Sequence, residues 1–152
     1  MRGGITLLSL YIEESNVKNF MNRLLLEDIF EDFELRGAEI AAQLRVSVSG
    51  EVEPEGFITW GQAKPLITAI IKNGPRPRYM KIIFAGSREM VAAVHENAQA
   101  LFINMTYENG QVTFTTACAQ KQFALDKTLD TRWDAWVSAY FRQNGIIVKE
   151  TI

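Results

Sequence analysis

An Asn-Gly pair is the feature that most restricts how this chain can fold. Asn109-Gly110 separates two segments that alternate apolar and polar residues, Leu101–Glu108 and Gln111–Ala117. Asn and Gly both accept the positive φ of a type I′ two-residue turn, so the pair predicts a β-hairpin. The resulting register places Met105 opposite Phe114 on an apolar face and leaves the other face polar. Turn chemistry and residue pattern therefore predict the same antiparallel pairing.

Residue periodicity predicts the rest of an α+β fold. We expect an antiparallel sheet with a C-terminal three-stranded meander, packed against three or four helices in a single domain over residues 1–152. The third strand of the meander is predicted at Gln120–Leu125, with Phe123 and Leu125 turned inward. The other predicted strands are Ile5–Ile12, Leu35–Ile40, Gln43–Ser49 and Tyr79–Ala85. The predicted helices begin at Ser15 or Asn16, at Thr59 or nearer Lys64, after Ser87, and at Thr128 or Asp130.

The second helix has two predicted start points. Thr59-x-x-Gln62 fits a capping box, in which each side chain satisfies a backbone N–H of the first turn. Pro65 lacks a backbone N–H and is harmless only in a first turn, which favours a start nearer Lys64. The expected apolar face of this helix consists of Leu66, Ile67, Ile70 and Ile71.

Composition excludes several classes of chemistry. One cysteine, Cys118, cannot form an internal disulfide, and one histidine, His95, excludes a zinc site with two imidazole ligands. No apolar run reaches the length of a transmembrane helix, and no small-residue cleavage site follows the first apolar stretch. We therefore expect a cytoplasmic protein with no membrane partner and no cofactor.

The charges are unevenly distributed along the chain. Residues 1–60 contain 11 acids and 5 bases, and residues 61–152 contain 7 acids and 11 bases. The acids concentrate between Glu27 and Glu34. A basic focus near Tyr79 is a candidate contact for an anion or a partner, and it consists of Lys72, Arg76, Arg78 and Lys81. A pI of about 5.5 argues against a strong nucleic-acid surface.

Catalytic residues are not predicted. His95 lies late in a short helix, and Cys118 lies at the end of a strand in Thr-Ala-Cys-Ala rather than at a helix N-terminus. No phosphate-binding glycine motif and no serine-nucleophile motif occur in the chain. A catalytic role for His95 would require a concave pocket beside carboxylates.

Aromatic residues offer two interpretations. Trp133, Trp136 and Tyr140 share one face of the last helix, and Trp60 lies at the start of the second. Such a face packs in the core, or it forms an interface where the sheet leaves it uncovered. These four residues are therefore the candidate interface.

The chain contains Asn19-Phe20-Met21-Asn22 with Leu24-Leu25, Phe30-x-x-Phe33, Trp60 with Pro65, Phe102-x-Asn104 leading to Tyr107-Glu108-Asn109-Gly110, and Leu125-Asp126-Lys127 leading to Trp133-Asp134. With these segments it resembles an uncharacterised bacterial family of unknown function over about residues 8–146. The resemblance implies no reaction, cofactor or catalytic residue. The order of elements is also similar to that of one repeat of a sliding DNA clamp, although that likeness is architectural only.

Three functional hypotheses follow. The leading one is a non-enzymatic cytoplasmic module that binds itself, as a homodimer, or another protein. The second is a clamp-like module that contacts nucleic acid through the basic focus and through Lys18, Arg23 and Lys64 of the first two helices. The third is a small enzyme that uses His95 with acidic residues. Concentration-dependent association, salt-dependent DNA binding and the position of His95 distinguish them.

Overall fold

The Asn109-Gly110 turn joins the two longest strands of the sheet. In the computed structural model, which describes residues 8–151, Asn109 and Gly110 have φ values of 51° and 80°. Met105 pairs with Phe114, as the alternation predicts, and Tyr107 pairs with Val112. The predicted hairpin and its register are therefore confirmed.

The described residues form four helices and one seven-stranded antiparallel sheet, which confirms the α+β class. The strand order is β3-β2-β4-β5-β6-β1-β7. Residues 5–7 of the first predicted strand lie outside the described range. In chain order the elements are β1 (Ser9–Ile12), α1 (Glu14–Leu26), β2 (Glu34–Ala41), β3 (Arg45–Ser49), α2 (Trp60–Lys72), β4 (Tyr79–Ala85), α3 (Arg88–Val94), β5 (Ala98–Glu108), β6 (Gln111–Gln120), α4 (Thr128–Gln143) and β7 (Lys149–Glu150).

The third strand predicted at Gln120–Leu125 is wrong. β6 ends at Gln120, and the following residues connect to α4 without pairing in the sheet. The place beside β6 is taken by β1, which pairs Leu10 with Phe114 and Ile12 with Val112. Strand alternation in a segment does not decide which neighbour is available, and here a segment from the other end of the chain occupies the edge of β6.

An aromatic cluster joins the helices to one face of the sheet. Phe84 and Phe114 project from β4 and β6, and Phe141 of α4 contacts Phe114 with 4.9 Å between ring centroids. Phe30, from the segment that follows α1, stacks on Phe84 at 4.6 Å. All four rings are buried, and so is that of Phe33, so these aromatic residues hold the segment between Glu27 and Glu34 to the core.

Phe30 has a strained backbone. Its φ is 63°, in the left-handed region that a bulky residue rarely adopts. Its amide donates a hydrogen bond of 2.8 Å to the Tyr140 hydroxyl, and its ring is completely buried. Burial of the ring and this hydrogen bond together offset a strain of about 1–3 kcal/mol.

The opposite face of the sheet is polar and carries no helix among the described residues. One row of register partners crosses all seven strands on this face. Because these side chains are charged or carry a hydroxyl group, the face is compatible with solvent. The row consists of Ser47, Glu39, Lys81, Thr106, Thr113, Tyr11 and Lys149.

The second helix begins at its capping box. Thr59 accepts a hydrogen bond from the Gln62 amide at 3.2 Å, and the Gln62 side chain accepts one from the Thr59 amide at 3.1 Å. The alternative start near Lys64 is wrong, because the box and the buried Trp60 fix the first turn and tolerate Pro65 inside the helix. The expected apolar face is also partly wrong. Leu66 and Ile70 are exposed, and the buried residues are Trp60, Ala63 and Ile67.

The end of α1 is capped by side chains of α2. Trp60, Lys64 and Thr68, four residues apart on one helix face, donate to the carbonyl oxygens of Leu24, Glu27 and Leu25 respectively. These carbonyls have no partner within α1, since the last four of any helix lack one.

The start of α1 differs from the prediction. The sequence predicts a cap at Ser15 or Asn16, whereas the residue that precedes the helix is Glu13, whose side chain forms no capping hydrogen bond.

Candidate binding cleft and apolar loop

Two of the four candidate interface aromatics lie in the core. The side chains of Trp60 and Trp133 are both 0% exposed, and each indole N–H donates to a backbone carbonyl, Leu24 for Trp60 and Phe102 for Trp133. The interface hypothesis is therefore wrong for these two residues. Helical spacing of aromatic residues cannot distinguish a core face from an exposed one, because both have the same period.

Trp136 and Tyr140 are partly buried and form a stack with Trp133. The ring centroids lie 5.3 Å apart between Trp133 and Trp136, and 5.4 Å apart between Trp136 and Tyr140. Burial raises the pKa of Tyr140 above its ordinary value of 10.0. The two residues contribute to the core, and only their exposed edges are available to a partner.

The basic focus is spread over different parts of the fold. Lys72 lies in the last turn of α2, and Arg76 lies in the connection to β4. Arg78 donates to the Ala42 carbonyl at 3.0 Å, and Lys81 lies on the polar sheet face. None of these four residues lines the cleft described next, so their proposed role in binding stays a prediction.

The acidic segment, Glu27–Glu34, has a structural role in the fold. Glu31 forms an ion pair with Lys64, and Glu27 forms one with Arg23 of the preceding turn. Arg23 also donates to the carbonyls of Asn144 and Gly145 at the end of α4. Among residues 8–151, no group of three or more His, Cys, Asp or Glu side chains is arranged to hold a metal ion.

A cleft of about 510 Å³ lies at the end of the sheet beside α3. Residues 34–36 of β2, the 56–57 turn, α3 and the start of β5 form its walls, and the size is that of a small-molecule site. Its charged and ionisable lining residues are Glu34, Arg36, Arg88, His95, Glu96 and Lys121.

Arg36 is a fixed wall of this cleft. Its guanidinium lies 4.0 Å from the centroid of the Phe57 ring and 5.5 Å from that of Phe102. Its Nε and Nη2 atoms are both 3.1 Å from Glu34 Oε1. The charge of Arg36 is therefore balanced by Glu34, and its position is held by two aromatic rings.

His95 lines the cleft with Glu34 and Glu96, so it lies in a concave pocket beside carboxylates. Its Nδ1 atom accepts a hydrogen bond from the Asn97 amide at 3.0 Å. In the neutral ring this contact places the proton on Nε2, which makes His95 a donor toward a ligand rather than a base. Cys118 does not line the cleft, and its thiol donates to Asp130. A Cys–His pair is therefore not formed.

The loop at residues 121–127, which we call the apolar loop, adjoins the cleft. The Asn97 side chain bonds both the N–H and the carbonyl of Gln122, at 3.1 and 2.9 Å. The Gln120 side chain bonds both backbone groups of Ala124 in the same way. Despite these anchors, Phe123 and Leu125 are 80% and 81% exposed. A second groove of about 430 Å³ runs along the loop and shares Glu96 and Lys121 with the cleft.

Comparison with known families gives one match. A model described as a family of unknown function, DUF5721, matches residues 23–149. The chain belongs to this family. No curated protein and no solved structure matches the chain significantly.

Membership of the DUF5721 family confirms the expected relationship to an uncharacterised family, with the match over residues 23–149 in place of 8–146. Every residue that lines the cleft or belongs to the apolar loop lies within the matched segment. Among the described residues of this DUF5721 member, no helix is long and apolar enough to cross a membrane. The likeness to a clamp repeat stays a prediction.

Sequence reasoning missed the apolar loop and the cleft for separate reasons. Phe123 and Leu125 lie two residues apart, the spacing of one face of a strand, and nothing local shows that Asn97 and Gln120 satisfy the backbone instead. Arg36 and Arg88 are far apart in sequence, and only the fold brings them to one cleft.

Proposed function

We propose that this DUF5721 protein is a non-enzymatic binding and assembly module that self-associates through the apolar loop. The observation that carries the proposal is the exposure of Phe123 and Leu125, 80% and 81%, on a loop held by side-chain hydrogen bonds. An exposed apolar pair on a fixed backbone is typical of an interface, because its binding orders little additional chain.

The charges around the loop favour a second copy of this chain as the partner. Glu96 and Asp126 provide negative charge beside the loop, and Lys121 and Lys127 provide positive charge. In a two-fold dimer the same patch meets itself, so a patch with both signs can pair each charge with an opposite one. Asp126 accepts two hydrogen bonds from Thr128, and these lower its pKa from the ordinary value of 3.8. The lowered pKa keeps the Asp126 carboxylate ionised.

The area that such a dimer needs includes the groove along the apolar loop. Phe123 and Leu125 together present about 300 Å² of apolar side chain, by the usual size of such residues. A stable interface takes about 800 Å² from each partner. We therefore infer that the neighbouring groove, lined by Asn97 and Lys121 among others, is buried with the loop.

Sedimentation velocity at increasing protein concentration tests this proposal. We expect the wild-type chain to form a dimer, and the double variant Phe123→Ser/Leu125→Ser to weaken the dimer at least about thirtyfold, which corresponds to about 2 kcal/mol of lost apolar burial. Leu44→Ser is the matched control, since Leu44 is 79% exposed on the β2–β3 hairpin, away from the loop. A wild-type chain that stays monomeric at several hundred micromolar, or a control that weakens the dimer equally, would refute self-association through this loop.

A cytoplasmic location is part of the proposal. The buried thiol of Cys118 donates to the Asp130 carboxylate, which requires the reduced form of the sulfur. A reducing compartment preserves that form. Fractionation of cells that express the protein, followed by detection of the chain in each fraction, measures its location directly.

A further inference from the structure

We propose that the cleft beside α3 binds a small molecule that carries a carboxylate or phosphate group on a compact apolar body. The inference goes beyond self-association, although Lys121 and Glu96 line both the cleft and the groove along the apolar loop. It rests on three hydrogen-bond donors that line one cavity, on the charge balance of that cavity and on its size.

Two cations of the cleft have no partner in the part of the chain that the structure describes. Arg88 and Lys121 form no hydrogen bond or ion pair through their side chains with any described residue, whereas Arg36 is paired with Glu34 in the same cleft. Guanidinium and ammonium groups bind oxyanions with charge-assisted hydrogen bonds. Arg88 and Lys121 are therefore the groups that would bind the anion.

His95 adds a neutral donor to the same wall. The Asn97 amide occupies Nδ1, so Nε2 is the nitrogen that remains for a ligand, and it carries the proton in the neutral ring. Because this backbone contact already sets the tautomer of the His95 ring, the proton need not move between the ring nitrogens when the anion binds.

The acids of the cleft limit what it accepts. Glu34 and Glu96 line the cavity together with Arg36, Arg88 and Lys121, so the positive charges exceed the negative ones by only one. A polyanion such as nucleic acid would meet both carboxylates, whereas a single anionic group meets Arg88 and Lys121. Phe57 and Val91 provide apolar wall for the rest of the ligand, and about 510 Å³ accommodates a molecule of metabolite size.

Nuclear magnetic resonance of the one histidine in the chain provides the test, since its ring signals need no assignment. The probes are inorganic phosphate and benzoate, titrated into the Phe123→Ser/Leu125→Ser variant at an ionic strength held constant with sodium chloride. We expect the ring signals of His95 to shift saturably with a Kd below about 1 mM for at least one probe. The free protein should show the Nε2–H tautomer in its ring ¹⁵N shifts.

Two single substitutions locate the site. Arg88→Gln removes a charge from the cleft and should weaken binding about tenfold, the value of one charge-assisted hydrogen bond. Arg76→Gln is the matched control, because Arg76 is an exposed arginine of the α2–β4 connection that does not line the cleft. The proposal is overturned when neither probe shifts His95 beyond the chloride control. It is also overturned when Arg76→Gln weakens binding as much as Arg88→Gln.

Discussion

Replacement of Lys64 by Met tests whether the acidic segment is held by α2. The Lys64 ammonium contacts both the Glu27 carbonyl at the end of α1 and the Glu31 carboxylate. The side chain of Lys64 is only 14% exposed, and that of Glu31 is 37% exposed. Met keeps the apolar stem of the lysine and removes the charge, so the variant isolates these two contacts.

The expected loss follows from those contacts. A hydrogen bond to a charged group contributes about 1.5–3 kcal/mol. The ion pair with Glu31 adds less than about 1 kcal/mol, because water reaches the Glu31 carboxylate when Lys64 is removed. We therefore expect Lys64→Met to lower the free energy of unfolding by about 2 kcal/mol, and Tm by about 4–8 °C for a chain of this length.

Urea unfolding followed by tryptophan fluorescence measures the change. Lys18→Met is the matched control, because Lys18 is an exposed lysine of α1 whose side chain forms no hydrogen bond or ion pair with any of residues 8–151, and it should change the free energy of unfolding by less than about 0.5 kcal/mol. Glu31→Gln, alone and combined with Lys64→Met, separates the ion pair from the carbonyl contact. Equal effects of Lys64→Met and Lys18→Met would refute the structural role and return Lys64 to the candidates for a nucleic-acid contact.

Three other substitutions test single features of the fold. Tyr140→Phe leaves the Phe30 amide without its acceptor and should cost about 1–3 kcal/mol in urea unfolding. Thr128→Ala should return the lowered pKa of Asp126 toward 3.8 in a ¹³C titration. The Thr128 contacts stabilise the folded chain at pH values above 3.8, the ordinary pKa of Asp126. Their contribution disappears as the pH falls through the lowered pKa that Asp126 has in the folded chain. Gly50→Ala should prevent stable folding, measured by circular dichroism, because the added Cβ would lie 1.8 Å from the Leu35 carbonyl oxygen.

Features encoded by neighbouring residues could be predicted from the sequence. The Asn109-Gly110 turn, the Thr59–Gln62 capping box and the Ser87 cap each depend on residues within one turn of each other, and the structure contains all three. Such contacts depend little on the rest of the fold. The same locality explains why the strand Tyr79–Ala85 has the predicted bounds.

Features that depend on distant partners could not be predicted. In the segment Gln120–Leu125 the two large apolar residues have the spacing of one strand face, but β1 occupies the edge of β6 and the Asn97 side chain bonds Gln122. Likewise, the Trp60 ring packs against Phe84 of β4, which is not visible in the local pattern. The candidate cleft belongs to the same class, since its cations come from β2, from α3 and from the apolar loop that follows β6.

The charge asymmetry between the two parts of the chain illustrates this limit. Three of the five ion pairs among the described residues join two residues of the first sixty, and the other two cross to the second part. Three acids of the first part are therefore paired with bases of the same part, and Arg88 and Lys121 of the second part have no ion-pair partner among the described residues. A surplus counted along the chain can be judged as a binding feature only once the fold shows where its cations lie, and the cleft that we propose as an anion site is one such place. The five pairs are Arg23–Glu27, Arg36–Glu34, Arg45–Glu39, Lys64–Glu31 and Lys149–Glu13.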